Sequence, residues 1–299
     1  MKTILSVFVL GWLAAGSATP VVSAQVPPQA PAQAPAQDPA QDPNAPPPIL
    51  VIAREEVKPG RGAAHTANEV GWAAMMAKGQ WPTGWLGTTS LTGPSEAWFF
   101  TGFGSLAEYD KDRLAQDEAP ALRDTAKFQA QDGELVNRTS TLIGTFRPGL
   151  SYQPTVTLPK MRYLSIDTVI VKPGHVGEFV DRWQEIIAAH TKSALDEHWA
   201  VYEITSGAQA GTYLFIYPMD SLATLDGSGA KHGAAAYRDA MGEGGRARNN
   251  AMNRDAIEWQ QNRIFAFNPK MSYLNKAWVD ADPAFWTPKA PPAPAPKKK

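Results

Sequence analysis

The sequence predicts an α+β fold made of two tandem units, each with the element order β-α-β-β-α-β. Three observations support this prediction. Short landmarks recur in the same order, both copies switch between strand-like and helix-like periodicity at the same places, and 299 residues are enough for two such units.

The recurring landmarks indicate a duplication. "VKPG" occupies 57–60 and 171–174, and Trp85 and Trp199 keep the same offset of 114 residues. The offset drifts to 116 between "SLAEYD" and "SLATLD", and to 121 between "FRPGLSY" and "FNPKMSY". Because the order is kept, small insertions explain the drift, and two copies are too few for a solenoid.

The second copy shows the periodicities more clearly. Its first strand alternates, and the "KPG" turn leads into an apolar stripe at helical spacing that includes Phe179, Trp183 and His190. Asp220 or Ser221 is the expected N-cap of the next helical region. The predicted strands are 162–171, 198–205, 212–218 and 263–269, and the predicted helical segments follow the "KPG" turn, begin near 221 and cover 251–262.

The first copy fits the same frame. Its predicted strands are 49–57, 83–91, 96–103 and 140–147, and its helical segments are 60–78 and 105–136. This order is that of the ferredoxin-like split βαβ unit, an antiparallel sheet with helices on one face. The other face of each sheet needs a cover, which either sheet-on-sheet packing or closure into a barrel would supply.

Two stretches carry a resemblance to a known superfamily. "VIVKPGHVGEFVDRWQEI" runs a strand into a helix through a Pro-Gly turn, and "YLFIYPMDSLATLD" runs an aromatic strand into a Ser-Leu helix start. The pattern resembles the dimeric α/β-barrel superfamily, which includes NIPSNAP-like, EthD-like and antibiotic-biosynthesis-monooxygenase-like domains, over residues 49–275. The resemblance implies that the two tandem ferredoxin-like units form an intramolecular α/β barrel.

The two ends of the chain differ from the repeats. Lys2 precedes an apolar run, and "VSA" ending at Ala24 offers a signal-peptidase site; the run is shorter than the roughly 20 residues of a membrane span. A periplasmic or secreted location follows. The predicted organisation is a signal peptide at 1–24, a Pro/Ala-rich linker at 25–48, repeats at 49–158 and 159–279, and a tail at 280–299 ending in Lys297, Lys298 and Lys299.

Composition excludes several classes of site. The balance of 28 Lys+Arg against 29 Asp+Glu argues against nucleic-acid binding, and the absence of cysteine excludes disulfides, zinc-thiolate sites and thiol nucleophiles. The five histidines lack H-x-H or H-E-x-x-H spacing, so neither a metal site nor a cofactor is expected. Haem-binding members of the superfamily use a helix histidine, for which His190 is the counterpart, but no other residue supports a haem.

His65 and Glu69 are the candidate catalytic residues. At an offset of 114 they match Phe179 and Trp183, which lie on the apolar stripe of the second copy. Residues i and i+4 are neighbours on a helix, and a sheltered His-Glu pair can transfer protons. The alternative is a rotated helix that leaves both side chains in water. Its inward face would consist of Ala63, Ala67, Val70, Ala74 and Ala77.

Large side chains in the predicted core elements are candidates for a ligand pocket. They are Trp72, Met76, Trp85, Trp183, His190 and Trp199. The alternative is that these rings only fill the core, and that His190 is a satisfied core histidine.

The sequence therefore favours an exported α/β-barrel protein that binds a small apolar or aromatic ligand. Cofactor-independent oxygenase or proton-transfer activity is what the resemblance implies. The alternative is a non-enzymatic cell-envelope interaction or structural module. No nucleic-acid partner and no transmembrane segment are expected, and a homodimer is one of the oligomeric states left open.

Overall fold

The structure, a computed structural model, describes residues 44–119 and 125–287. The strands of this part are β1 (Ile49–Val57), β2 (Leu86–Ser90), β3 (Glu96–Phe103), β4 (Val136–Phe146), β5 (Tyr163–Val171), β6 (Ala200–Ser206), β7 (Thr212–Met219) and β8 (Ile257–Phe267). Its helices are α1 (Gly62–Lys78), α2 (Leu106–Glu118), α3 (Ala126–Leu135), α4 (Val176–Lys192), α5 (Ser228–Gly233), α6 (Ala235–Met241), α7 (Gly245–Asp255), α8 (Lys276–Ala281) and α9 (Pro283–Trp286).

The eight strands close into one antiparallel barrel in the order β1-β3-β2-β8-β5-β7-β6-β4. Closure into a barrel, rather than packing of two separate sheets, therefore covers the second face of each sheet. The strands of the first half lie in the order β4-β1-β3-β2 and those of the second half in the order β8-β5-β7-β6. The halves join where Thr88 of β2 pairs with Phe267 of β8 and where Phe146 of β4 pairs with Tyr202 of β6.

The last strand of each half begins earlier than the sequence predicts. Helix α7 ends at Asp255, and β8 starts at Ile257, so the predicted helix over 251–262 is wrong in its second half. The reason is pairing: β8 runs along the whole of β5, from Ile257 opposite Val171 to Ala266 opposite Tyr163. Since tertiary pairing overrides local propensity in such a segment, β4 likewise starts at Val136 and pairs with β1.

Two matching backbone contacts join the halves outside the paired strands of the barrel. Trp85 forms an isolated antiparallel bridge with Tyr273, and Trp199 forms the same bridge with Tyr152. Each indole Nε1 donates to a backbone carbonyl at 2.8 Å, Trp85 to Met271 and Trp199 to Leu150. The repeated Ser-Tyr ending of each half is therefore a structural contact to the other half.

The repeated "KPG" motif also has a structural role. Lys58 Nζ donates to the carbonyls of Gly133 and Glu134 at the end of α3, both at 3.1 Å. Lys172 Nζ donates to the carbonyls of Arg254 and Asp255 at the end of α7. A cation at a helix C-terminus satisfies carbonyls that lack intrahelical partners and interacts favourably with the helix dipole.

Apolar side chains fill the barrel interior. The buried cluster inside it includes Ile52, Trp98, Leu214 and Phe265, as expected for eight strands, which enclose just enough space for their own side chains. Trp286 of α9 belongs to the same cluster and is 4% exposed. Residues 280–287, which the sequence assigns to the C-terminal tail, are therefore part of the folded protein because this ring packs against the barrel core.

The N-terminal linker also differs from the expectation at its end. Tyr202 Oη donates to the carbonyl of Pro47 at 3.0 Å, and the amide of Phe146 donates to Pro48 at 2.9 Å, so these prolines contact the barrel. The signal peptide, linker residues 25–43 and the terminal lysines lie outside the described residues. Within the described residues, no helix combines the length and apolar character needed to cross a bilayer.

Gly207, after β6, provides a test of the closed barrel. Its φ is +90°, and a Cβ there would overlap the carbonyl oxygen of Thr141 in β4. We expect Gly207→Ala to lower the free energy of unfolding by about 1–3 kcal/mol, measured by urea denaturation. As a control, Gly177→Ala in α4, where a Cβ would meet nothing within 4 Å, should raise stability by up to about 1 kcal/mol. Similar effects of both changes would contradict the described β4–β6 approach.

Candidate functional site

A large cavity lies in the second half of the chain, outside the barrel. It measures about 980 Å³ and is lined by residues of β5, β7 and β8 on one side and by α4, α5, α6 and α7 on the other. Ser165 and Asp167 of β5 face it, whereas the alternating Leu164 and Ile166 face the barrel interior. The candidate site therefore lies between the sheet and its helices.

His190 of α4 is the most deeply buried of the polar groups at this cavity, with 3% exposure. Its Nδ1 donates to the carbonyl of Ile186, one helical turn earlier, at 2.8 Å. The ring also contacts Trp199 with a centroid distance of 4.9 Å. Because a carbonyl only accepts, the Nδ1 atom carries the proton, and the Nε2 atom faces the remaining polar groups.

Two further residues meet His190 at Nε2. Glu197 precedes β6, and its Oε2 lies 3.1 Å from His190 Nε2 and 3.1 Å from His232 Nε2. The two histidine Nε2 atoms are 3.3 Å apart. His232 belongs to α5 and is half-buried, so the three groups form a cluster that runs from the core to the cavity surface.

The histidines control the ionisation of Glu197. Burial alone would raise the pKa of this carboxyl, but hydrogen bonds from His190 and His232 outweigh burial and lower its pKa to about 2. Glu197 is therefore a carboxylate at neutral pH.

The rest of the cavity wall combines aromatic rings with polar and charged side chains, among them Asp196, Lys231 and Arg238. The rings of Trp183 and Phe215 lie 4.3 Å apart, and Trp183 faces the cavity next to Trp199. Burial raises the pKa of Tyr217 well above its ordinary value, so its hydroxyl stays neutral. At the sheet side, Asn262 Nδ2 donates to Asp167 Oδ1 at 2.9 Å. Such a wall suits an aromatic molecule that carries polar substituents.

His65 and Glu69 of α1 are both buried, with 2% and 6% exposure, so the rotated-helix alternative is wrong. Val70, which that alternative placed inside, is 43% exposed. His65 Nε2 lies 2.6 Å from Glu55 Oε2 of β1 and 3.9 Å from Glu69 Oε1. Neither candidate catalytic residue lines the cavity of the second half, and their catalytic role stays a prediction.

Glu69 has an unusual environment. Burial raises its pKa, and the charges of Glu55 and Asp132 raise it further, to about 9. Its Oε1 has no hydrogen-bond partner among the described residues. Glu69 is therefore protonated at neutral pH and is a proton donor rather than a base.

The six predicted ligand-binding residues divide evenly between two places. Trp183, His190 and Trp199 line the cavity. In the first half, Trp72 Nε1 donates to Asp132 Oδ2 at 3.2 Å, Met76 is buried in α1, and Trp85 packs on Tyr273. The first-half residues do not line this cavity, because it is built from elements of the second half.

Glu197 and His232 are the site residues that the sequence did not indicate. Glu197 is seven residues from His190, and His232 is 42 residues from it, so no short motif contains them. A comparison of the two copies does distinguish His190 and Glu197 from their counterparts. At the offset of 114, Met76 and Thr83 of the first copy match His190 and Glu197, so the polar pair is specific to the second copy.

A haem does not fit this cluster. An axial histidine needs open space around its Nε2 for the porphyrin plane. In this structure Glu197 Oε2 and His232 Nε2 lie within 3.3 Å of His190 Nε2 and occupy that space.

Solved structures with a similar fold cover most of this chain. A "putative monooxygenase" from Fusobacterium nucleatum subsp. nucleatum matches with a TM-score of 0.50 and 12% identity, over 74% of this chain and 93% of that chain. A "putative monooxygenase" from Lactobacillus acidophilus has a TM-score of 0.46 and 8% identity, over 73% and 93%. A chlorite dismutase variant from Candidatus Nitrospira defluvii has a TM-score of 0.43 and 9% identity, over 76% and 93%.

The first of these matches supports the resemblance that the sequence predicts. The chain has an α+β fold with a closed eight-stranded barrel of the dimeric α/β-barrel type. At 12% identity the likeness is one of fold and does not extend to activity. No protein-family model matches the sequence, and no curated protein matches it significantly.

Proposed function

We propose that this protein binds a small apolar or aromatic molecule in the cavity of its second half. The observation that carries the proposal is the cavity itself, which has a volume of about 980 Å³ and is lined by Trp and Tyr rings together with polar groups, including the His190 cluster. Such a combination of apolar area with a few convergent polar groups is typical of small-molecule sites. The barrel interior is a poorer candidate, because the pocket there measures only about 170 Å³ and rings such as Trp98 and Phe265 occupy the core beside it.

The proposed activity is oxygenase or proton-transfer chemistry on that ligand, next to His190, Glu197 and His232. A ligand in the cavity would contact this cluster, whereas His65 and Glu69 do not line the cavity. We place the protein in the periplasm or outside the cell, since the N-terminal sequence has the pattern of a signal peptide.

We further propose that the barrel consists of two ferredoxin-like repeats. The equal strand orders of the halves, the paired lysine contacts and the reciprocal Trp-Tyr bridges support this origin. Only the second repeat then carries the ligand site, because Met76 and Thr83 replace His190 and Glu197 in the first. A homodimer stays a prediction that analytical ultracentrifugation would test.

Titration with 1-naphthol, a neutral aromatic probe, tests the ligand site. We expect binding at one site per chain by isothermal titration calorimetry. Trp183→Leu, which changes the cavity wall, should weaken binding about fivefold to tenfold, since a stacked aromatic contact contributes about 1–1.4 kcal/mol. The matched control is Trp72→Leu in α1, the equivalent helix of the first half, which should change affinity less than about twofold.

The same titration discriminates the alternative function. If neither 1-naphthol nor a panel of substituted aromatic compounds binds, or if both variants bind as the wild type does, the ligand proposal is wrong. The filled barrel interior would then favour the non-enzymatic cell-envelope module.

A further inference from the structure

Three donor atoms from separate elements converge at the cavity of the second half. His190 Nε2, Glu197 Oε2 and His232 Nε2 form a triangle with edges of 3.1, 3.1 and 3.3 Å. All three residues line the cavity. We propose that this cluster binds one divalent transition-metal ion and that the ion presents open coordination positions to the cavity.

The size of the triangle fits such an ion. Ligand atoms at about 2.0–2.2 Å from a metal lie about 3.3–3.6 Å apart in tetrahedral geometry and about 2.8–3.1 Å apart in octahedral geometry. The observed edges of 3.1 Å match the octahedral range, and the edge of 3.3 Å matches the lower end of the tetrahedral range. An ion just above the plane of the triangle therefore reaches all three atoms without a rearrangement of the backbone.

The orientation of His190 also favours metal binding. Its Nδ1–H donates to the carbonyl of Ile186 at 2.8 Å, so Nε2 is the ring nitrogen that offers a lone pair when the ring is neutral. Histidine ligands of metals usually donate from the other ring nitrogen in this way. The hydrogen bond between Nε2 and Glu197 requires a proton, and a metal ion that displaces this proton would be held by the same two atoms.

The donor set indicates which metals bind. Two imidazole nitrogens and one carboxylate oxygen suit Zn²⁺, Fe²⁺ and related first-row ions, and three protein ligands leave positions for water or a substrate atom. Because the remaining side of the triangle faces the aromatic cavity, a ligand there would approach the ion directly. Sites with three protein ligands and an open position are typical of catalytic rather than structural metals.

A rival cluster in the first half fits an ion less well. Glu55, His65 and Glu69 also bring three donor atoms together, but Glu69 Oε1 lies 3.9 Å from His65 Nε2 while Glu55 Oε2 lies at 2.6 Å. The unequal edges are those of a hydrogen-bonded His-Glu pair with a separate third group. The rival cluster also does not line the cavity, so an ion there would not contact a small molecule bound in the cavity.

The test is Co²⁺ titration of the full chain after EDTA treatment and dialysis. We expect one Co²⁺ per chain, with visible d–d absorption from an N/O ligand set. Glu197→Gln and His232→Asn should each weaken Co²⁺ binding by about 100-fold or more, because loss of an outer-shell partner alone typically costs about 10–100-fold. His232 is 40% exposed, so its replacement leaves the core intact.

Two control variants locate the ion. His175→Asn changes another second-half histidine of 40% exposure and should leave Co²⁺ affinity unchanged, as should Glu69→Gln in the rival cluster. Absence of Co²⁺ binding by the wild type overturns the proposal. So does loss of binding in Glu69→Gln with full binding in Glu197→Gln, which would assign the ion to the first half.

The metal proposal and the ligand proposal can fail separately. Co²⁺ binding is measured without an organic ligand, and 1-naphthol binding is measured in EDTA. Co²⁺ binding without 1-naphthol binding leaves the metal site standing and removes the aromatic ligand. The reverse result removes the metal site and leaves the ligand.

Discussion

Trp286→Ala is expected to lower the free energy of unfolding by about 3–5 kcal/mol, the usual cost of removing a buried aromatic side chain. The Trp286 ring lies 5.9 Å from that of Phe267 in β8, and its Nε1 donates to the carbonyl of Pro159 at 2.7 Å. The substitution leaves a void at the barrel core and a carbonyl without its partner. Urea denaturation followed by circular dichroism measures the effect.

Trp259→Ala is the matched control for this prediction. Trp259 lies in β8 but is 43% exposed, so its removal should change stability by less than about 1 kcal/mol. Equal losses in the two variants would show that α9 does not pack against the barrel as described.

Glu69→Gln is expected to be more stable than the wild type at pH 8, by roughly 5 kcal/mol, since pH 8 lies about 3.5 units above the unfolded pKa and each unit corresponds to about 1.4 kcal/mol. Folded wild-type protein holds the Glu69 proton up to a pKa of about 9, whereas the unfolded chain releases it near 4.5. The folded state therefore binds more protons between these values, and wild-type stability falls as the pH rises through that window. Glutamine does not titrate, so the variant avoids this loss.

The measurement is a pair of urea unfolding series between pH 4 and pH 9. The stability difference between Glu69→Gln and wild type should be small near pH 4 and should grow steadily toward pH 8. Glu178→Gln in α4, where the side chain is half-exposed, should instead follow the wild-type curve within about 0.5 kcal/mol. A constant difference at all pH values would mean that Glu69 is not held protonated by its surroundings.

The repeated landmarks were sufficient to predict the α+β class and the order of the strands. "KPG" and the Ser-Tyr endings recur because they make the same backbone contacts in both halves, so their spacing reports the fold directly. Periodicity alone was not sufficient at 257–262. That segment becomes a strand because β5 offers a full-length partner, which no local pattern reveals.

The candidate site was predictable only in part. His190 and the aromatic residues Trp183 and Trp199 lie in regular elements, and their apolar surroundings marked them as ligand candidates. Glu197 lies in a connection before β6, and His232 lies in the short helix α5. In such segments no periodic pattern shows which way a side chain points. Their approach to His190 depends on how α5 packs near α4, and a single sequence carries no information on that packing.

The closure of the barrel between its two halves has a consequence for how the chain matures. Strands β2 and β4 each find an outer neighbour only in the second half, as β8 and β6. A polypeptide that has emerged only as far as β4 thus presents two unpaired sheet edges, the kind of surface that recruits other chains and promotes aggregation. Final closure waits for β8, close to the C-terminus. Productive maturation therefore favours delivery of the whole chain before folding, and a fragment that ends between the halves should self-associate rather than persist as a monomer.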